Sequence, residues 1–201
     1  MKRNARNENW SIITYRLGED EMNKIDIKPM SISDVFNNFY VIPDYQREYV
    51  WEEKQVHQLL EDISEEHSQR NDSEYFIGSI VVCTGGDNSY ELIDGQQRLT
   101  TLFLCLCSFR KLLTDSEEYV SFINNMLFSK TVDKYGKLVP AYRIDLQYEH
   151  SSEIVKQISE DNISQNNGGA SSRRIADSYV YITQFLERNF REKDNLTAML
   201  G

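Results

Sequence analysis

The sequence has little cysteine and no long apolar run. Only three cysteines occur among 201 residues, and this odd, small number does not form a disulfide framework. Cys105 and Cys107 lie within an apolar segment and are expected to be buried in a reducing compartment. No stretch approaches the ~20 apolar residues of a membrane-spanning helix. No apolar segment follows the basic N-terminus, so we expect a cytoplasmic protein without a signal peptide or membrane contact.

Positive charge is also scarce. The chain has 22 Lys and Arg residues against 32 Asp and Glu residues, which gives a net charge of -10. A surface that coats nucleic acid must be positive, so this composition argues against one. A local basic pocket for a phosphorylated ligand stays compatible with the charge, as does DNA binding through a part outside this chain. The three histidines and three cysteines do not have the spacing of zinc ligands.

The pattern of apolar residues divides the chain into three parts. Residues 1–23 are polar and are expected to be a flexible segment. Residues 24–114 alternate strand and helix patterns and form the predicted α/β core. Residues 115–201 are predicted to be a mainly helical extension. Because residues 197–201 fall within an amphipathic pattern, we expect the natural chain to continue beyond them.

Apolar spacing and turn residues predict the individual elements. The predicted strands are residues 24–27, 39–42, 75–83 and 90–93, with two short strands around a turn between 131 and 146. The predicted helices are residues 31–37, a helix from 52, and residues 96–113, 117–128, 150–159 and a long helix from 173. The helix at 96–113 is apolar nearly all round, and we expect it to be central.

The stretch "ELIDGQQRLTT", residues 91–101, places polar side chains at the start of this apolar helix. Asp94 followed by Gln97 resembles a capping box. Capping leaves Arg98 unexplained, because a guanidinium in the first turn opposes the helix dipole by up to ~1 kcal/mol. Free backbone N–H groups and an arginine together form a phosphate site, which Gly95 would let a ligand approach closely. The alternative is that Arg98 pairs with a core carboxylate.

The loop "PDYQREYVW", residues 43–51, is a second candidate. Arg47 supplies another guanidinium, and the three aromatic side chains of the loop offer faces on which a base could stack. The alternative is that the aromatic side chains pack beneath the following helix, and for Trp51 this alternative is favoured. Gln46 and Arg47 are equally compatible with ligand contact and with solvation.

Further candidates are a strand glycine and several carboxylates. Gly78 within a strand marks the close approach of a ligand or of a packed helix, and both readings stay open. Carboxylates near the two motifs could hold Mg²⁺ beside a triphosphate, although no pair has diagnostic spacing. These carboxylates are Asp44, Glu48, Glu91 and Asp94. The sequence contains no Walker-type loop, nucleophile elbow or HExxH motif.

Three segments follow one another at close spacing: "IPDYQREYVW" (residues 42–51), "YFIGSIVV" (75–82) and "YELIDGQQRLTTL" (90–102). Together they resemble the N-terminal domain family of GmrSD-type modification-dependent restriction endonucleases. The later segments "YRIDL" and "RRIADSYVYITQFL" fit the family more loosely. The resemblance covers residues 24 to 190.

The resemblance implies an α+β fold with a ParB/sulfiredoxin-like core, a small mixed sheet packed with helices. It implies a domain that binds and hydrolyses a nucleoside triphosphate with Mg²⁺ and regulates a nuclease in bacterial defence. The family's DGQQR motif falls on residues 94–98 and its YQR element on residues 45–47. Together with the residue reasoning above, this gives the expected binding residues Tyr45, Gln46, Arg47, Gly78, Ser79, Gly95, Gln96, Arg98 and Thr100. The expected catalytic residues are Asp94, Gln97 and Arg98, and the metal candidates, inferred from the triphosphate, are Glu48 and Asp94.

The implied partners are an HNH-type nuclease domain, in cis or in trans, and DNA contacted through the full-length protein. No His-rich metal motif follows residue 150, so we do not expect these 201 residues to cleave DNA alone. Glu48 stands where many relatives carry proline, so the loop departs from the family pattern at this position. The alternatives are a non-catalytic module that senses modified DNA or binds a protein, and a ParB-like nuclease.

Overall fold

The computed structural model describes residues 10–17, 25–69, 75–85, 89–148, 151–163, 168–190 and 197. The strands are β1 (Trp10–Leu17), β2 (Ile25–Ser31), β3 (Phe39–Ile42), β4 (Tyr75–Thr84), β5 (Ser89–Asp94), β6 (Phe128–Val132), β7 (Leu138–Tyr142) and β8 (Ile144–Leu146). The helices are α1 (Ile32–Val35), α2 (Glu53–Gln69), α3 (Gln96–Leu112), α4 (Glu117–Leu127), α5 (Ser151–Ser159) and α6 (Ala170–Asn189).

Six strands form one mixed sheet in the order β2-β1-β4-β5-β3-β8, and β6 pairs with β7 in a separate hairpin. β1 is antiparallel to β2 and parallel to β4. β4 and β5 form the predicted antiparallel pair, and β3 runs parallel to both β5 and β8. This mixed sheet packed with helices confirms the predicted α+β class.

The N-terminal region differs from the sequence expectation. Trp10–Leu17 lies within the stretch expected to be flexible, yet its 8 residues form β1 between β2 and β4. Ile12 is fully buried in the core. The β-branched and aromatic residues of this segment suit a strand. Its partner β2 is the next strand along the chain, but its other partner, β4, begins only at Tyr75 and gives no local signal.

The core is continuous across residue 114. One cluster of buried apolar side chains extends from Ile12 to Phe190. β8, which lies in the predicted extension, joins the edge of the sheet, where Ile144 pairs with Tyr40. α6 packs along α3. The second half of the chain therefore completes the same core.

α3 is the central helix, as its sequence predicts. Its residues from Leu99 to Phe109 are all buried, and it contacts α4, α5 and α6. A helix that is apolar on every side must be covered on every side. Burial raises the pKa of the Cys105 and Cys107 thiols to about 12, which leaves both in the unreactive thiol form.

The joint between β5 and α3 lies tightly against β4. Gly95 has a φ of 92°, a left-handed conformation that side chains with a β-carbon disfavour. A β-carbon on Gly95 would lie 2.8 Å from Cγ2 of Ile80 and 2.9 Å from the carbonyl oxygen of Ser79. Only glycine fits this joint, and the position where α3 begins is therefore fixed relative to β4.

We expect Gly95→Ala to lower the free energy of unfolding by ~2–5 kcal/mol, the combined cost of a left-handed alanine and of crowding in a packed interior. Gly136→Ala is the matched control, because Gly136 also has a positive φ of 78° but no atom lies within 4 Å of its added β-carbon. The control should cost only ~1–2 kcal/mol. Urea unfolding of both variants measures the difference, and equal losses would show that packing at the joint is unimportant.

Candidate functional site

The side-chain amide of Gln97 holds the loop of residues 43–51. Its Oε1 accepts hydrogen bonds from the backbone N–H of Val50 at 2.8 Å and of Trp51 at 3.2 Å. Its Nε2 donates to the carbonyl oxygen of Glu48 at 2.9 Å. Both lone pairs of Oε1 are therefore engaged by the loop.

The side chain of Gln96 binds the same loop at Arg47, one residue before the Glu48 that Gln97 binds. Its side chain is buried, and its Nε2 donates to the carbonyl oxygen of Arg47 at 3.2 Å. The two glutamines at the start of the buried helix thus have a structural partner. Their nucleotide contacts stay a prediction, whereas their contacts with the loop are direct.

The predicted capping box is wrong. The N-cap of α3 is Gly95, and no side chain caps the helix. Asp94 is instead the exposed last residue of β5. Because Gly95 turns the backbone between strand and helix, Asp94 is one residue too early to cap, and Gln97 points to the loop. Gly95 itself is pressed against β4, which differs from the expectation that it opens the backbone to a ligand.

Tyr49 anchors the loop in the core. It is fully buried, and its hydroxyl lies 2.9 Å from Oγ1 of Thr101 on α3 and 3.2 Å from Oγ of Ser178 on α6. Burial raises the pKa of Tyr49 to about 12, so the phenol stays neutral. A ring in this position packs beneath the loop and offers no face to a ligand, in agreement with the packing alternative.

The chain after residue 114 supports the loop at two more points. Tyr148 is buried and forms hydrogen bonds with the backbone of Tyr49 and with Ser171, while its burial raises its pKa. Nε of Arg174 on α6 lies 3.8 Å from the carboxylate of Glu52, directly after the loop. The site therefore depends on residues that carry no sequence motif.

Arg98 lies across the backbone of β4. Its Nη1 lies 3.4 Å from the carbonyl oxygen of Ser79. A β-carbon on Gly78 would lie 2.5 Å from the guanidinium carbon, and Gly78 has a φ of 142°. Gly78 thus makes room for the Arg98 side chain, which is the packing reading of this glycine. Among the described residues no carboxylate pairs with Arg98, so the alternative of a core ion pair finds no support there.

The exposed end of the loop carries the remaining candidates. Tyr45 is 68% exposed and its hydroxyl donates to the carboxylate of Glu91, a bond that raises the pKa of Tyr45. Gln46 is half-buried, and its backbone N–H closes a turn onto the carbonyl of Pro43 at 3.1 Å. Arg47 is exposed, and its guanidinium forms no ion pair within the described part of the chain.

Two adjacent threonines of α3 differ in their hydrogen bonds. Thr101 donates to the carbonyl oxygen of Gln97 at 2.8 Å and also meets Tyr49. The Thr100 hydroxyl is buried and has no partner within the described residues. An unpaired buried hydroxyl costs ~1–3 kcal/mol. The hydroxyl of Thr100 therefore lies close to the motif and can still form a hydrogen bond.

Metal-binding groups are dispersed. Within the described residues, no group of three or more His, Cys, Asp and Glu side chains is placed to hold a metal ion. The two candidates, Glu48 and Asp94, are both exposed. No described helix is both long and apolar enough to span a membrane.

Comparison with known protein families identifies the family to which the chain belongs. Residues 30–199 match the family described as the GmrSD restriction endonuclease, N-terminal domain. This range contains both the loop at 43–51 and the start of α3. No curated protein matches the chain.

We expect Gln97→Met to lower the free energy of unfolding by ~1–3 kcal/mol, because the N–H groups of Val50 and Trp51 lose their acceptor. Methionine has a similar helix propensity and volume. Gln58→Met is the control, since the exposed Gln58 bonds only Asp62, at 2.7 Å on the same helix. Urea unfolding and limited proteolysis of the loop measure the effect. Identical behaviour of the two variants would show that the amide does not hold the loop.

We expect Thr100→Val and Thr101→Val to act in opposite directions. The first removes an unpaired hydroxyl and should leave stability unchanged or raise it by up to ~1 kcal/mol. The second leaves Tyr49 short of a partner and should cost ~1–2 kcal/mol. The two positions are adjacent and buried in one helix, so thermal unfolding compares them directly. A loss at position 100 as large as that at 101 would contradict the assignment.

Proposed function

Because the chain belongs to the family of GmrSD restriction endonuclease N-terminal domains, we propose that it binds and hydrolyses a nucleoside triphosphate and so regulates a nuclease. The family supports a role in restriction and defence. The nucleotide, its hydrolysis and an HNH-type nuclease in cis or in trans are the parts that we propose.

The observation that carries this proposal is the guanidinium of Arg98, which forms no ion pair with a carboxylate of the described residues. It lies in the first turn of α3, where the helix dipole is positive and where the N–H groups of residues 96–98 have no partner in the helix. Two positive features placed together without a described carboxylate attract an anion. The contacts with Gly78 and Ser79 position the guanidinium before a ligand binds. This preorganisation lowers the entropic cost of binding a phosphate.

The loop brings the backbone of Arg47 to the same end of α3, and we propose that its guanidinium turns toward the ligand. The bond from Gln96 to the carbonyl of Arg47 holds the backbone of residue 47 beside the first turn. Tyr45 is tied to Glu91 on β5, which limits the movement of the loop at its exposed end. Two arginines and a row of N–H groups match the negative charge of a triphosphate.

Each remaining residue then has a role in the proposed reaction. Arg98 and Arg47 neutralise charge on the transferred phosphoryl group, which is the main catalytic resource in phosphoryl transfer. Gln97 positions the loop. Asp94 is exposed at the end of β5 and orients water or holds Mg²⁺, and Glu48 is the other candidate ligand.

We propose that Mg²⁺ enters the site together with the triphosphate. It is commonly held by one or two carboxylates together with substrate phosphates, and Asp94 and Glu48 can supply that number. Bound there, it would add positive charge to the phosphates. The unpaired hydroxyl of Thr100 offers one more hydrogen bond to a ligand that reaches α3.

A second candidate is a non-catalytic module that senses modified DNA or binds a protein. The hydrogen bonds of Gln97 favour this non-catalytic function, because they already tie one of the three proposed catalytic side chains to the loop. Measured turnover separates the two functions.

We expect Arg98→Ala to weaken nucleotide binding by at least about 10-fold, since a charge-assisted hydrogen bond contributes ~1.5–3 kcal/mol. GTP, ATP and CTP are tested by calorimetry and by phosphate release, with Mg²⁺ present. Arg188→Ala is the control, because Arg188 is exposed on α6 and bonds only Gln184 within the described chain. The control should bind as the unchanged protein does.

Gly78→Ala provides an independent test. A β-carbon there displaces the guanidinium while Arg98 itself stays in place, so binding should weaken as well. Circular dichroism confirms that each variant is folded. Absence of binding and turnover in the folded, unchanged protein would overturn the proposed function. Turnover that survives Arg98→Ala unaltered would overturn the assignment of this site.

A further inference from the structure

The β6–β7 hairpin concentrates positive charge on an otherwise acidic chain. Residues 128–142 contain Lys130, Lys134 and Lys137 and only one acidic residue, Asp133, whereas the whole chain carries a net charge of -10. The three lysines are exposed, and none forms an ion pair with a described residue. Their charges are therefore not neutralised by any carboxylate of the described residues.

The tip of the hairpin is a turn that the side chain of Asp133 stabilises by hydrogen bonds. Oδ1 of Asp133 accepts hydrogen bonds from the backbone N–H of Tyr135 and of Lys137, both at 2.9 Å. The N–H of Gly136, which has a φ of 78°, donates to the carbonyl of Asp133 at 3.0 Å. The only carboxylate of the hairpin therefore shapes the backbone of the tip, from which Lys134 and Lys137 project.

The tip also presents an aromatic ring. Tyr135 is 81% exposed, and Nζ of Lys134 lies 5.0 Å from the centre of its ring. Val132 and Leu138 on the two strands are 61% and 63% exposed. Cations interleaved with exposed aromatic and apolar side chains are typical of surfaces that contact nucleic acid.

A cleft of about 740 Å³ lies between this hairpin and the C-terminal end of α3. Its lining includes two cations from α3, Arg110 and Lys111, and two carboxylates, Glu160 and Asp161. The hydroxyl of Tyr142 donates to Glu160 at 2.7 Å. The cleft therefore carries mixed charge, and the excess of positive charge is on the hairpin itself.

This surface is distinct from the proposed nucleotide site. The two lie at opposite ends of α3, which has 17 residues and is about 24 Å long at 1.5 Å per residue. Arg98 is in the first turn, and Arg110 and Lys111 are in the last. A ligand at one end does not touch the residues at the other.

We propose that the β6–β7 hairpin is a contact site for duplex DNA. An antiparallel two-stranded ribbon fits the major groove, which is ~12 Å wide. Lys130, Lys134 and Lys137 would bind phosphates, and Tyr135 would lie against the groove at the tip. The contact is to the backbone and does not depend on base sequence. The proposal of a DNA contact rests on the restriction family to which the chain belongs. It does not depend on nucleotide hydrolysis.

The test compares two variants of the whole chain that each lose three surface cations. One carries Lys130→Gln, Lys134→Gln and Lys137→Gln. The control carries Lys28→Gln, Lys156→Gln and Arg188→Gln, which are all exposed and belong neither to the hairpin nor to the lining of the cleft. Binding to a fluorescent 24-bp unmodified duplex is followed by anisotropy from 50 to 200 mM NaCl.

For the hairpin variant we expect at least a 10-fold loss of affinity at 100 mM NaCl. The slope of log K against log salt should fall by roughly 2–3, because each lost phosphate contact removes about 0.9. The control should lose less than threefold. Nucleotide binding by the hairpin variant should stay unchanged, which separates this test from that of the proposed function.

Two results would overturn the proposal. The first is an unchanged protein that does not bind the duplex at 50 mM NaCl. The second is a hairpin variant with the affinity and salt slope of its control, which would leave the hairpin as a contact for an acidic protein. Loss of nucleotide binding in Arg98→Ala with normal DNA binding would leave the hairpin assignment intact.

Discussion

The contact between Gly95 and β4 is the constraint on which the site depends. No β-carbon fits there, so α3 begins at one fixed position against the sheet. Successive helical residues then point about 100° apart. Gln96 and Gln97 reach the loop, and Arg98 reaches the backbone of Gly78. One glycine thus directs three consecutive side chains to two different partners.

The sequence predicted the elements that its local pattern encodes. The apolar periodicity identified α2, α3 and α6, and the turn at 135–136 identified the β6–β7 hairpin. These conclusions needed only residues that are neighbours along the chain or on one helix face.

The remainder depends on contacts between distant residues. The loop atoms that Gln97 binds belong to residues 46 to 49 positions away, and the sequence shows only a pattern that imitates a capping box. β1 pairs with the distant β4 as well as with the adjacent β2, and the three-residue β8 pairs with the distant β3. Neither distant pairing has a strong local signal. The burial of Tyr49 was undetermined for the same reason, because its ring had an equally reasonable place on the surface.

The anchoring of Tyr49 also orders events in time. Its partner Ser178 follows it by 129 residues. At 5–20 residues per second, synthesis of that stretch takes roughly 6–26 s. During this interval the loop lacks its anchor on α6. The end of α3 can therefore acquire its final form only after residue 178 has been synthesised.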